Sequence, residues 1–373
     1  MRLIPDRDAV DLASVLRDLL RAECPTTLVR ALRESPAAPE PESLWKALAD
    51  AGVLGLATAE EYGGSGGGLA DLGYFYVEAG RALCPMAIHS TVAAGLAVDL
   101  LGGPEQKAAW LPGLSAGTLR GTTSLSSARD ASAVTALLHA EQEENGWRLC
   151  GTVDFVTDAE GANVLVVSAT DVPNQRTLGF LVDRRAPGVT VEPLTMMGGF
   201  RAFTVRFDDV RVSDPSSVLG AESMAGLSED DLRRVANAGA ALLSLDLVGV
   251  GEAVLQRTVE YIGMRHQFGR PIASFQAAQH LVANMHIALA GARLAAHSAV
   301  FWIGRGRVGT RETAIARMAA ATAAKLITLD AHQLHGGMGY VVETDLHLWS
   351  ERARVLSTLG GGADVAASWL GEA

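Results

Sequence analysis

Asp246 is the only ionisable residue between Ala238 and Gly251. A carboxylate held in apolar surroundings has its pKa raised toward the range useful to a general base. On a helix its face is shared with Gly239, Leu242, Leu243, Gly249, Val250 and Ala253, and the two glycines there predict a shallow channel beside the carboxylate. The competing reading is an aspartate hydrogen-bonded to a neighbouring helix. Downstream, RHQFGRPIASFQ occupies residues 265–276. Arg265 offers a planar fork for bidentate phosphate contact; Phe268 offers a flat apolar face and Gln276 an amide for a polar ring edge. A solvated helix-turn-helix corner is the simpler alternative. A third stretch, QLHGGMGY, covers residues 333–340. Its glycines end a helix and bare main-chain N–H groups that a pyrophosphate can approach. His332 and His335 stand at i, i+3 with no third ligand at useful spacing, so no metal site is expected.

These residues must be positioned by two kinds of element. Residues 7 to about 118 carry apolar residues at three- and four-residue spacing, as in AVDLASVLRDLLRAE, with PEPESLWKALADAGV opening on a Pro/Glu helix start. From about Gly121 the segments are short and rich in Val, Phe and Thr: NGWRLCGTVDFVTDA, NVLVVSAT, TLGFLVD, VTVEPL and FTVRFDDVRV. Phe203, Val205 and Phe207 alternate with Thr204 and Arg206, the pattern of a half-buried strand. Helical spacing returns near Glu229 and runs to the end, with Ala-rich runs that suit close helix packing. The expected fold is α+β and multidomain: helices (residues 1–119), a β unit (120–220) and a helical bundle (221–373).

The chain has 373 residues, enough for two or three cores, and a net charge of -11. That charge disfavours nucleic acid as the main partner. The N-terminus lacks an apolar signal region and no uninterrupted 18-residue apolar run occurs, which predicts a cytoplasmic protein without a membrane span. Cys24, Cys84 and Cys150 are widely separated and odd in number, and read as reduced thiols.

EEYGGSG, RHQFGRPIASFQ and QLHGGMGY with the following ETDLHLWSERAR together resemble the acyl-CoA dehydrogenase family over essentially the whole chain, in an actinobacterial-type branch. The resemblance implies an N-terminal α-helical domain, a middle β-barrel and a C-terminal four-helix bundle. The enzyme it implies uses FAD to oxidise the Cα–Cβ bond of an acyl thioester, bound to CoA or a carrier protein. It passes the electrons to an electron-transfer flavoprotein or similar acceptor. It implies Arg265, Phe268 and Gln276 on the pyrophosphate and adenosine half of FAD, and Gln333, Gly336 and Gly337 on the FAD of a neighbouring subunit. Phe155 and Thr157, in GTVDFVTDA, correspond to the strand beside the flavin ring. A homodimer or homotetramer is expected, or a heterotetramer.

Two departures bear on the chemistry. The family's usual C-terminal catalytic glutamate falls in a region that here reads STLGGGADV, and the alternative glutamate position on the preceding helix falls near Gly239. Asp246 then becomes the candidate base, with the N–H of Gly360 or Gly361 meeting the thioester carbonyl. TTSLSSARDAS replaces the family's Thr-Glu-Pro segment, leaving Ser124, Ser126 and Ser127 as hydroxyl donors to flavin or thioester. Besides a dehydrogenase with Asp246 as base, two readings stay open: a flavin-binding partner subunit without its own base, and a flavin monooxygenase on the same fold.

Overall fold

A computed structural model describes residues 5–35 and 41–371; Pro39 and Glu40 of the expected helix start lie outside the described residues. Six helices come first: α1 (Arg7–Glu23), α2 (Thr26–Glu34), α3 (Glu42–Asp50), α4 (Leu69–Ala82), α5 (Met86–Leu101) and α6 (Pro104–Ser115). Eight strands follow: β1 (Gly121–Ser124), β2 (Leu138–Glu143), β3 (Gly146–Thr157), β4 (Val164–Asp171), β5 (Arg176–Asp183), β6 (Val189–Leu194), β7 (Ala202–Val212) and β8 (Val218–Leu219). The chain finishes with α7 (Glu229–Met264), α8 (Gln276–Gly304), α9 (Thr310–His335), α10 (Leu346–Leu356) and α11 (Ala363–Ser368).

Packing groups these elements into two compact units, Met1–Ala31 with Gly73–Cys84 and Ala240–Ala373, and Leu32–Leu72 with Pro85–Gly239. Residues Gly73–Cys84, which include most of α4, group with the C-terminal helices, and the first residues of α7 group with the sheet.

In the sheet unit the strands pair in the order β6-β7-β3-β2-β4-β5-β8, with β1 parallel to β4. The paired path runs from β6 to the two-residue β8. Phe203, Val205 and Phe207 point into the core as their alternation predicts, against Leu149, Val167 and Phe180. The register of β3 against β7 slips between Val153 and Val156, an irregularity of the kind that re-aims side chains near a functional site. α5 and α6 bury Ala94, Val98, Leu111 and Leu114 with Val166 and Leu181 of the sheet.

In the helical unit, α8 and α9 pack along their lengths through Ala292, Ala296, Ala299, Ala316, Ala320 and Ala323, all buried. Such small side chains let helix axes approach closely. By length and composition α7 and α8 are apolar enough to cross a membrane; the most apolar window of α7 is 83% buried and that of α8 only 33%. The two helices thus pass a test that the absence of an uninterrupted run predicted they would fail. Interior packing accounts for α7, while α8 presents Ile287 and Leu294 outward.

Candidate functional site

Asp246 lies inside the helical unit with 0% exposure. Arg352 of α10 takes both of its oxygens, Nε donating to Oδ1 at 3.0 Å and Nη2 to Oδ2 at 2.5 Å. Burial works to lower the pKa of Arg352, but the charge and hydrogen bonds of Asp246 outweigh it and hold the guanidinium above its ordinary value. The Tyr76 hydroxyl nearby is pushed far up by burial first and by the Asp246 charge second. The expected channel is filled. A Cβ on Gly249 would stand 1.9 Å from the Val77 carbonyl oxygen, and one on Gly80 would stand 2.0 Å from the Asp246 carbonyl oxygen. The small residues serve a close crossing of α4 over α7, not a substrate. Both Asp246 oxygens are engaged by a cation in a buried position, the arrangement of the interhelical alternative.

The loop that replaces the family's glutamate segment is held from beneath by Arg317 of α9, which is itself fully buried. Its Nη2 donates to the carbonyls of Leu356 and Leu359 (2.6 Å for the latter), and its Nε to Gly361 at 3.2 Å. Those carbonyls end α10 and would otherwise be orphaned. Without an acidic partner, burial pulls the Arg317 pKa down to about 10. The Gly361 N–H donates to the Thr358 carbonyl at 3.1 Å, which leaves Gly360 as the better placed of the two candidate amides.

The two cofactor motifs of this unit meet at one corner. Tyr261, one turn before Arg265, stacks on His335 with centroids 4.3 Å apart. Its hydroxyl donates to the His335 carbonyl at 3.4 Å. α7 ends at Met264, and a hairpin pairing His266–Gln267 with Arg270–Pro271 projects Phe268 outward in the left-handed region, 92% exposed. Arg265 is exposed and holds no ion pair or side-chain hydrogen bond among the described residues. Gln276 begins α8, and Gln333 is exposed in the last turn of α9. Gly336 has φ +58 and ψ -136, a backbone state open essentially to glycine alone. A Cβ on it or on Gly337 would meet nothing within 4 Å, so ligand atoms have room to reach the main chain. His332 and His335 are engaged with Ser350 and the Ala331 carbonyl.

The flavin-ring candidates lie in the sheet unit. Phe155 sits in the β3 register slip with φ +60, and the Arg129 guanidinium lies 5.7 Å from its ring. The Thr157 hydroxyl is 2.9 Å from that of Ser90 on α5, and Thr122 donates to the Thr157 carbonyl at 2.6 Å. Asp158 follows with φ +53, buried and 3.7 Å from Arg201. Ser124 ends β1 and Ser126 lies just beyond it; both are half-buried. Their hydroxyls make no hydrogen bond among the described residues, while Ser127 accepts from the Arg129 N–H.

A dinucleotide suits these features. An uncommitted guanidinium, two exposed amides and an open glycine backbone are the donor set a pyrophosphate and a base require. The bulged strand with spare hydroxyls is a setting for a polar planar ring. Ser90, Thr122, Arg317 and Arg352 were missed from the sequence. Only Arg352 left a trace there, as a buried aspartate needs a cation and SERAR supplies one.

Matches with known proteins agree with this architecture. The family descriptions "Acyl-CoA dehydrogenase, N-terminal domain" and "Acyl-CoA dehydrogenase, C-terminal domain" match residues 7–118 and 232–373. A mitochondrial isovaleryl-CoA dehydrogenase of Oryza sativa subsp. japonica is 31% identical over 326 residues, 82% of this chain and 76% of that protein. The structure of a variant of the Tcur3481-Tcur3483 steroid ACAD is 30% identical, with TM-score 0.87 over 98% of this chain and 97% of that one. The ChsE4-ChsE5 complex from Mycobacterium tuberculosis is 26% identical, with TM-score 0.88 over 100% and 98% of the two chains. On this combined agreement of sequence and fold, the chain belongs to the acyl-CoA dehydrogenase family, FAD-dependent oxidoreductases acting on CH–CH bonds.

Proposed function

We propose that this chain is the cofactor-holding, base-lacking subunit of a two-chain acyl-thioester dehydrogenase, the partner supplying the carboxylate that takes the α-proton. The observation that carries this reading is the commitment of both Asp246 oxygens to Arg352 in a fully buried position. The stretch STLGGGADV holds no glutamate, and its one acidic residue, Asp364, is exposed in the first turn of α11. Two structural relatives, Tcur3481-Tcur3483 and the ChsE4-ChsE5 complex, favour a heteromeric assembly. The outward Ile287 and Leu294 of α8 give such an assembly an apolar surface to bury.

Within it, Arg265 and the main chain at Gly336 and Gly337 hold the pyrophosphate, with Phe268, Gln276 and Gln333 around the adenosine half. The Tyr261–His335 stack brings the two motifs to one corner of the helical unit; the resemblance puts Arg265 on one FAD and Gln333, Gly336 and Gly337 on that of a neighbouring subunit. Phe155, Thr157, Ser124 and Ser126 border the flavin ring, and Ser90 and Thr122 fix the conformation of Thr157. When bound, FAD supplies the acceptor for the β-hydrogen, which leaves as hydride, and its electrons pass on to an electron-transfer flavoprotein or similar acceptor. The Gly360 N–H, on a loop fixed by Arg317, donates to the thioester carbonyl and so acidifies the α-carbon.

The test is anaerobic titration of the purified chain, alone and co-expressed with a candidate partner, against a panel of acyl-CoA thioesters. The reading expects flavin bleaching only in the two-chain preparation. Stoichiometric bleaching of the chain alone would overturn it.

A further inference from the structure

Away from every residue assigned to FAD, the helical unit contains a cleft of about 670 Å³ walled by α1, α4, α7 and α10. That volume is within the ~300–1,000 Å³ of small-molecule sites. Four arginines line it, Arg17, Arg21, Arg81 and Arg257, against two glutamates, Glu78 and Glu260. In a chain of net charge -11, this local positive excess is a feature of the cleft and not of the surface at large.

Three of the four arginines are committed. Arg17 donates to both Glu78 oxygens, at 3.0 and 2.7 Å. Arg81 donates to Glu78 at 3.0 Å and pairs with Glu252. Arg21 pairs with Asp18 at 3.1 Å. Arg257 differs. It makes no hydrogen bond or ion pair among the described residues, and its guanidinium carbon lies 4.2 Å from the Trp349 ring centroid. Trp349 is itself fixed, 3% exposed, with its indole N–H donating to the Arg81 carbonyl at 3.0 Å. The stack therefore holds a planar cation by its face and leaves its N–H edge unused. Burial lowers the Arg257 pKa against the opposing charges of Asp345 and Glu260, and no hydrogen bond among the described residues offsets that desolvation. Leu20, Cys24 and Ala253 complete an apolar wall.

We propose that this cleft binds a small organic anion, a carboxylate or phosphate on a short apolar stem, with the oxyanion on Arg257 and the stem along Leu20, Cys24 and Ala253. The test is calorimetric titration of the purified full-length chain with hexanoate, hexyl phosphate and inorganic phosphate. One saturable site is expected for at least one hexyl anion, and the preferred head group identifies the class. Inorganic phosphate, lacking the stem, binds at least tenfold more weakly. Arg257→Gln weakens the hexyl anion at least tenfold, and Arg257→Lys by less, because the charge remains and the fork is lost. An unchanged flavin spectrum and FAD content on binding separate this cleft from the cofactor site. Absence of saturable binding by both hexyl anions, or wild-type affinity in Arg257→Gln, would overturn the proposal.

Discussion

The guanidinium of Arg352 caps the carboxylate of Asp246 in a bidentate pair inside the helical unit, with a donor on each oxygen. The fork geometry keeps both ions charged in a place where either alone would be severely desolvated. The first prediction is that Asp246→Asn acts on stability. Removing one partner of a buried pair leaves the other uncompensated and costs about 3–5 kcal/mol. The double variant Asp246→Leu/Arg352→Met recovers most of that loss, because an apolar pair carries no such penalty. Denaturant unfolding of the three proteins checks this. A catalytic Asp246 would give the opposite result, an Asn variant of wild-type stability that fails to react.

Glycines on α7 divide by what surrounds them. A Cβ on Gly249 would overlap the Val77 carbonyl at 1.9 Å, whereas one on Gly263 would meet nothing within 4 Å. Gly249→Ala should cost about 1–3 kcal/mol or more through overpacking, and Gly263→Ala should stabilise by about 0.5–1 kcal/mol through backbone entropy. Thermal melts of the two variants give shifts of opposite sign.

Arg265→Gln should weaken FAD binding about ten- to a hundredfold, the worth of charged hydrogen bonds to a phosphate. Its exposed side chain makes no hydrogen bond or ion pair among the described residues, so the melting temperature of the FAD-free protein stays at the wild-type value. Equilibrium dialysis of FAD measures the first effect and scanning calorimetry the second. A parallel loss of both would assign Arg265 to the fold instead.

His297 makes the stability depend on pH. Its ring lies 5.4 Å from Tyr74, and burial, aided by the Arg293 charge, lowers its pKa from 6.5 to about 4. The folded state therefore binds a proton less readily than the unfolded chain. The stabilisation is complete above the ordinary value of 6.5 and is lost as pH falls toward about 4, by up to about 3 kcal/mol. His332 and His335, both lowered chiefly by burial, act in the same direction. Unfolding free energies measured between pH 7.5 and 4.5 should flatten in His297→Gln, which has no proton to gain.

Much of this architecture was legible in the sequence. The alternation of Phe203, Val205 and Phe207 placed β7 and its inward face, and the motifs at residues 265–276 and 333–340 placed the corner now joined by Tyr261 and His335. β1 escaped because Gly121–Ser124 carries no apolar residue. β2 escaped because only Leu138 and Ala140 of its residues face inward. The Asp246–Arg352 pairing was not legible, for a sharper reason. Helical spacing told which residues share its face, but not which element lies across from it. The decisive partner stands 106 residues away, a separation that local pattern cannot register. The glycines on that face were ambiguous for the same reason, since a space beside a helix is filled or open according to its neighbour.

That separation also governs the order in which the molecule can assemble. A chain emerging from the ribosome exposes α7 with its buried-to-be carboxylate long before α10 has been synthesised. Until Arg352 arrives, closing α4 onto α7 at Gly80 and Gly249 would seal an uncompensated anion in an apolar interior. The helical unit is thereby discouraged from consolidating early, and its final docking waits on a long-range contact that slows folding. The ion pair thereby ties closure of the core around Asp246 to the arrival of α10.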